Sequence, residues 1–94
     1  MNATMETDID AILLNESDNV AVCLRDLEKK SKIRVKTGAD QYVILAETTI
    51  ERGHKVAVTD IQKGASIIKY SEIIGTAVNA IRKGEHVHTH NITD

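Results

Sequence analysis

One seven-residue pattern recurs along this chain: an apolar residue, any residue, Lys or Arg, Gly, any two residues, and a second apolar residue. It reads Ile50-Glu51-Arg52-Gly53-His54-Lys55-Val56, then Ile61-Gln62-Lys63-Gly64-Ala65-Ser66-Ile67, then Ile81-Arg82-Lys83-Gly84-Glu85-His86-Val87. A degenerate copy, Leu27-Glu28-Lys29-Lys30-Ser31-Lys32-Ile33, has Lys30 where the others have glycine. Each copy predicts a turn. The first apolar residue anchors it, glycine supplies a positive φ at little cost, and a strand leaves with an apolar side chain inward. Lys30 carries a modest penalty at positive φ, so its turn is expected to differ. Related strands, Val20-Ala21-Val22 and Val56-Ala57-Val58, precede Asp26 and Asp60, whose side-chain oxygens are expected to accept backbone N–H bonds at the turns. Two related halves follow rather than a solenoid, because 94 residues leave no room for stacked repeats.

The remaining segments agree with a mostly β domain of many short strands. Ile33-Arg34-Val35 and Tyr42-Val43-Ile44-Leu45-Ala46 flank Lys36-Thr37-Gly38-Ala39-Asp40-Gln41, a hairpin signal. Ser71-Glu72-Ile73-Ile74-Gly75 reads as a further turn into Thr76-Ala77-Val78. Nothing sustains a helical period; residues 48–52 and 59–63 have room for single helical turns at most. With no Phe, Trp or Pro, the core must be built from Val, Ile, Leu and Ala, many of them β-branched. Cys23, the lone cysteine, lies in an apolar run and reads as a small core residue. Residues 1–8 read as a flexible lead-in and 9–94 as one small domain.

Charge excludes several classes. The net charge of −2 is interspersed, with no basic block or aromatic platform, so nucleic acid is not an expected partner. No apolar run approaches the roughly 20 residues that span a membrane. The polar, acidic start is unlike a secretory signal, so the chain is expected in the cytoplasm and its three Asn-x-Ser/Thr sequons carry no meaning. No Ser-His-Asp arrangement, paired catalytic carboxylates or phosphate-cradling loop is legible.

Chemistry is expected at Lys83-Gly84-Glu85-His86-Val87-His88-Thr89-His90-Asn91, which holds three of the four histidines at alternate positions. In an extended strand, His86, His88 and His90 would share one face, with Val87 pointing into the core. Neighbours in such a row stand about 6.5–7 Å apart and the outer two about 13 Å, so one ion would take two of them, not three. His88 and His90 are the expected pair, with His86 behind them, and two ligands leave a site for a partner to complete.

Six motifs can be set beside a known family: Asp18-Asn19-Val20-Ala21-Val22, Arg52-Gly53-His54-Lys55-Val56-Ala57, Thr59-Asp60-Ile61-Gln62-Lys63-Gly64-Ala65, Ile68-Lys69-Tyr70, Ile74-Gly75, and the histidine segment. Together, in order over residues 10–92, they resemble the SAF domain of the altronate dehydratase family, relatives of which are galactarate dehydratase and the small subunit of sulfolactate sulfo-lyase. The resemblance implies a β-clip fold, in which a long folded-over hairpin closes a small barrel-like body. It implies a larger catalytic domain or subunit that eliminates water from a sugar acid with a divalent metal, iron or manganese. Lys69 could then pair with a substrate carboxylate, Tyr70 would pack with its hydroxyl at the rim, and His54 would lie at the substrate or subunit interface. Ser71 departs from the family, which has Gly after Lys-Tyr. The chain also stops at Asp94, so it is expected to be a small subunit or an excised fragment, inactive alone. The alternatives are a sulfo-lyase small subunit and a free-standing SAF binding module; self-association is left open.

Overall fold

The joints of the molecule are its four repeated turns. In each, a carbonyl accepts the N–H three residues on: Glu28 from Ser31, Glu51 from His54, Gln62 from Ala65 and Arg82 from Glu85, at 2.9–3.0 Å. The residue before each donor has positive φ, 76° at Lys30, 85° at Gly53, 86° at Gly64 and 94° at Gly84. These are type II turns, and Lys30 adopts the same turn as the glycines instead of a different one. The turns also pair. Leu27 and Ile50 exchange backbone hydrogen bonds, as do Ile61 and Ile81, at 2.7–2.8 Å. Asp26 accepts the Arg52 N–H and Asp60 the Lys83 N–H, both at 2.8 Å. The aspartates therefore do accept backbone bonds, but each caps the opposite turn of its pair, not its own.

This computed structural model describes residues 9–38 and 40–93; the expected lead-in lies outside the described residues. Among them are nine strands and no helix: β1 (Ala11–Leu13), β2 (Val20–Cys23), β3 (Lys32–Thr37), β4 (Asp40–Leu45), β5 (Lys55–Ala57), β6 (Ser66–Lys69), β7 (Glu72–Ala77), β8 (His86–Val87) and β9 (Ile92–Thr93). Residues 48–52 and 59–63 form bends instead of helical turns, because Ile50 and Ile61 are committed to their cross-turn bridges. One sheet runs β4-β3-β1-β2-β5-β8 and the other β6-β7-β9. The expected hairpin is β3–β4, in register from Lys32↔Leu45 to Thr37↔Asp40. Ile33 and Val35 face the core while Lys32, Arg34 and Lys36 face solvent, the alternation of a half-buried strand.

β2 and β5 pair antiparallel at the centre, Val20↔Ala57 and Ala21↔Val56. They form a wall between two cores. Ala21, Cys23 and Val56 join Ala11, Ile33, Val35, Ile44 and Ile50 on one side; Val20 and Ala57 join Ile61, Ile67, Ile81 and Val87 on the other. Cys23 is the buried core residue expected, and burial and the charge of Asp10 push its thiol up to about 12. This all-strand, two-sheet architecture is consistent with the mostly β SAF-type fold.

The second hairpin departs from expectation. β7 runs straight through the segment read as a turn, and the turn lies earlier, at Tyr70 and Ser71. Both have positive φ, 54° and 65°, as the two central residues of a type I′ hairpin require. Asp18, itself buried, accepts the N–H groups of Tyr70 and Ser71 at 2.7 and 2.8 Å and holds the turn in place. Tyr70 is therefore not packed at a rim but 68% exposed at a hairpin tip. A Gly at position 71 suits this conformation; here Ser71 takes it with the help of Asp18.

Candidate functional site

The second and fourth turns deliver the histidines. β5 leaves the Gly53 turn and β8 leaves the Gly84 turn, and the two strands pair with Lys55↔Val87 and Val56↔His86. His54 thus arrives beside His86. Val87 is buried as expected. The strand ends there, however, so the histidine row is not a strand face. The Asn91 side chain stops it: its Oδ1 accepts the His88 N–H and its Nδ2 donates to the His86 carbonyl, both at 2.9 Å. A third bond, Asn91 N–H to the His88 carbonyl at 3.0 Å, closes the turn. Asx chemistry outcompetes strand extension here, and His88 is folded back over His54.

His54 Nδ1 and His86 Nε2 are 2.8 Å apart, a hydrogen bond in which one ring donates and the other accepts. The His54 and His88 rings stack at 3.9 Å between centroids and 10° between planes. One ring nitrogen from each of His54, His86 and His88 lies within 4.8 Å of the others. His90 tilts against His86 at 5.0 Å and stands outside this group. The structure therefore brings together His54, His86 and His88, and places His90, the residue expected beside His88, against the His86 ring. Lys69, at the end of β6, is half-buried and close enough to Lys55 to affect its charge.

The local electrostatics favour the neutral forms of His86 and His88. Burial, then His90, His54 and His88, hold His86 below the usual imidazole range. Burial, then His54 and Lys55, do the same for His88. Burial and Lys69 lower Lys55. On the opposite side of His54, Glu51 Oε1 lies 3.5 Å from Nε2 and favours the proton on that nitrogen, leaving Nδ1 as an acceptor toward His86. His88 Nδ1 is buried without a hydrogen-bond partner. Three imidazoles whose nitrogens lie this close are a donor set that a divalent transition metal takes, and they fit such an ion once the stacked His88 ring turns toward the other two.

Two concavities can be compared with this chemistry. The larger, about 1080 Å³, lies between the β1–β2 loop and the β3–β4 tip, and its charged lining residues are Glu16, Asp18 and Asp40. That acidic lining opposes an anionic ligand. The smaller, about 320 Å³, is lined by His86, His90, Asn91, Thr48 and Glu85 and adjoins the histidine group. Three contributors escaped sequence reasoning: His54 as a member of the group, Asn91 as its strap, and Asp18 as the clamp of the Tyr70 turn.

With this geometry in place, comparison with known proteins is informative. Residues 9–94 match the family described as the altronate/galactarate dehydratase SAF domain. The chain belongs to that family. This SAF domain is 44% identical over 80 residues to the altronate dehydratase of Escherichia coli (strain K12), covering 85% of the chain but 15% of that enzyme. It is 40% identical over 76 residues to the galactarate dehydratase (L-threo-forming) of the same organism, covering 81% of the chain and 14% of the enzyme. The alpha subunit of (2R)-sulfolactate sulfo-lyase from Paracoccus pantotrophus is 40% identical over 57 residues, 61% of the chain and 85% of the subunit. The SAF domain thus spans about one seventh of the dehydratases it matches.

Proposed function

We propose that this SAF domain is the small subunit or N-terminal domain of an altronate dehydratase-like sugar-acid lyase in the cytoplasm, where it covers the active site or interface of a larger catalytic partner. One observation carries the reading: the match covers 85% of this chain but 15% of the Escherichia coli altronate dehydratase. The chemistry of the surface supports it. The described residues hold no complete acid–base constellation, whereas Lys55 lies beside the histidine group with Lys69 next to it, and both suit a sugar-acid carboxylate. The reading includes a divalent ion, iron or manganese, in the assembled enzyme, and His54, His86 and His88 are the donors this chain can offer it. Such an ion supplies Lewis-acid polarisation of a substrate oxygen when bound. Around it, the residues of this chain orient the substrate carboxylate and exclude water.

The purified 94-residue chain is expected to turn over no altronate by itself and to restore or raise the activity of its large catalytic partner. Turnover by the chain alone, or a partner equally active without it, overturns the proposal. A second reading, the small subunit of a sulfolactate sulfo-lyase, is favoured by the 85% coverage of the Paracoccus pantotrophus alpha subunit. Assay of the assembled enzyme on both substrates separates the two.

A further inference from the structure

The histidine group unites residues from both halves of the chain, and its polar atoms are incompletely used. His54 and His86 share a single proton across 2.8 Å, while His88 Nδ1 is buried with nothing to bond. A cation among these rings would give His88 Nδ1 the partner it lacks. We propose that the SAF domain itself, without its catalytic partner, binds one divalent transition-metal ion through His54, His86 and His88.

Four features support the site. Its three ring nitrogens already lie within 4.8 Å of one another. Two imidazole nitrogens on one ion at about 2.1 Å each stand roughly 3–3.4 Å apart, so the 2.8 Å pair opens by a few tenths of an ångström, while the His88 ring, stacked parallel on His54, must turn from its stack to aim a nitrogen at the same ion. Glu51 Oε1 lies 3.5 Å from His54 Nε2, on the ring's outer side, where a carboxylate can orient the imidazole toward a metal. Finally, the backbone carrying the donors is fixed. Thr48 Oγ1 accepts the His86 N–H at 3.0 Å, and Asn91 straps His86 to His88 at 2.9 Å.

The proton balance is simple. The ion replaces the shared hydrogen bond: His54 ligates through Nδ1 with its proton on Nε2, the His86 proton passes through solvent from Nε2 to Nδ1 and frees Nε2 to ligate, and His88 ligates through Nδ1 with its proton on Nε2. Neutral rings therefore bind without net proton release. The Lys55 ammonium group nearby opposes a bare cation, so affinity is moderate, and the open coordination positions favour water or an anionic oxygen. Borderline ions that accept imidazole, such as zinc, cobalt, nickel and ferrous iron, fit this donor set.

The test uses the purified 94-residue chain with Zn²⁺ and Co²⁺, without substrate or partner, so its outcome is independent of the dehydratase reading. Titration is expected to show one ion per chain. His54→Ala, His86→Ala and His88→Ala should each weaken binding about tenfold or more, Glu51→Gln about tenfold or less, and His90→Ala less than about threefold. In case a variant unfolds, ring-nitrogen NMR of the wild-type chain gives the same answer: Zn²⁺ should shift resonances of His54, His86 and His88 far more than those of His90. No saturable binding, an ion bridging two chains, or shifts confined to His88 and His90 would each overturn the site and leave a hydrogen-bonded histidine stack only.

Discussion

Gly64 and Gly84 hold the same place in two copies of one turn, with φ of 86° and 94°. Around Gly64 a β-carbon would meet nothing within 4 Å. Around Gly84 it would fall on the carbonyl oxygen of Leu45 and press on the Glu47 side chain. The Gly84 carbonyl also accepts the Glu47 N–H at 2.8 Å, which draws the end of the β3–β4 hairpin against the fourth turn. The first glycine thus answers a local demand, a left-handed φ. The second answers that demand and a tertiary one, the close passage of another backbone. A repeated motif fixes the local conformation of its copies, but not what the rest of the chain builds against each.

The sharpest way to break this comparison is Gly84→Ala. Strain and displacement of the Leu45 backbone should together cost about 3 kcal/mol or more, read as a large fall in the urea midpoint. Next is Asp18→Ala, which removes the acceptor of two N–H bonds at the Tyr70 turn and should cost about 1–3 kcal/mol. Gly64→Ala bears only the strain of a left-handed residue, about 1–2 kcal/mol. Equal losses at Gly64 and Gly84 would show that the backbone approach at Gly84 has no energetic weight. Smallest and opposite in sign is Lys30→Gly, in the degenerate copy. Its φ of 76° is relieved by glycine, while the unfolded chain gains freedom, so a net gain of no more than about 1 kcal/mol is expected.

Much of the fold was legible because it rests on local chemistry. The turn pattern, the alternation in Ile33 and Val35, and the β-branched central strands each specify structure within a few residues. The site was less legible because it depends on register between distant segments. Nothing near His54 says that β5 will pair with β8, and the partnership follows only once that register is known. The alternate histidines suggested a strand by period alone, yet the Asn91 side chain offered the backbone a better set of bonds. For Tyr70 a signal was present: Ile67-Ile68 and Ile73-Ile74 lie symmetrically about Tyr70-Ser71, as in a two-residue hairpin. The missing glycine disguised it, since the stabilising group, Asp18, lies far away in the sequence.

The pairing of β8 with β5 has a consequence for how the chain is made. Until the second half has been synthesised, β5 presents an unpaired edge, a template for other extended chains, and His54 stands beside no other imidazole. Pairing with β8 covers that edge, and β8 is itself only two residues long, too short to offer much of a new one. Nascent or truncated chains that lack residues 86–91 would therefore be both more prone to associate and unable to form the histidine group. The domain assembles its histidine group and loses its open edge in a single event.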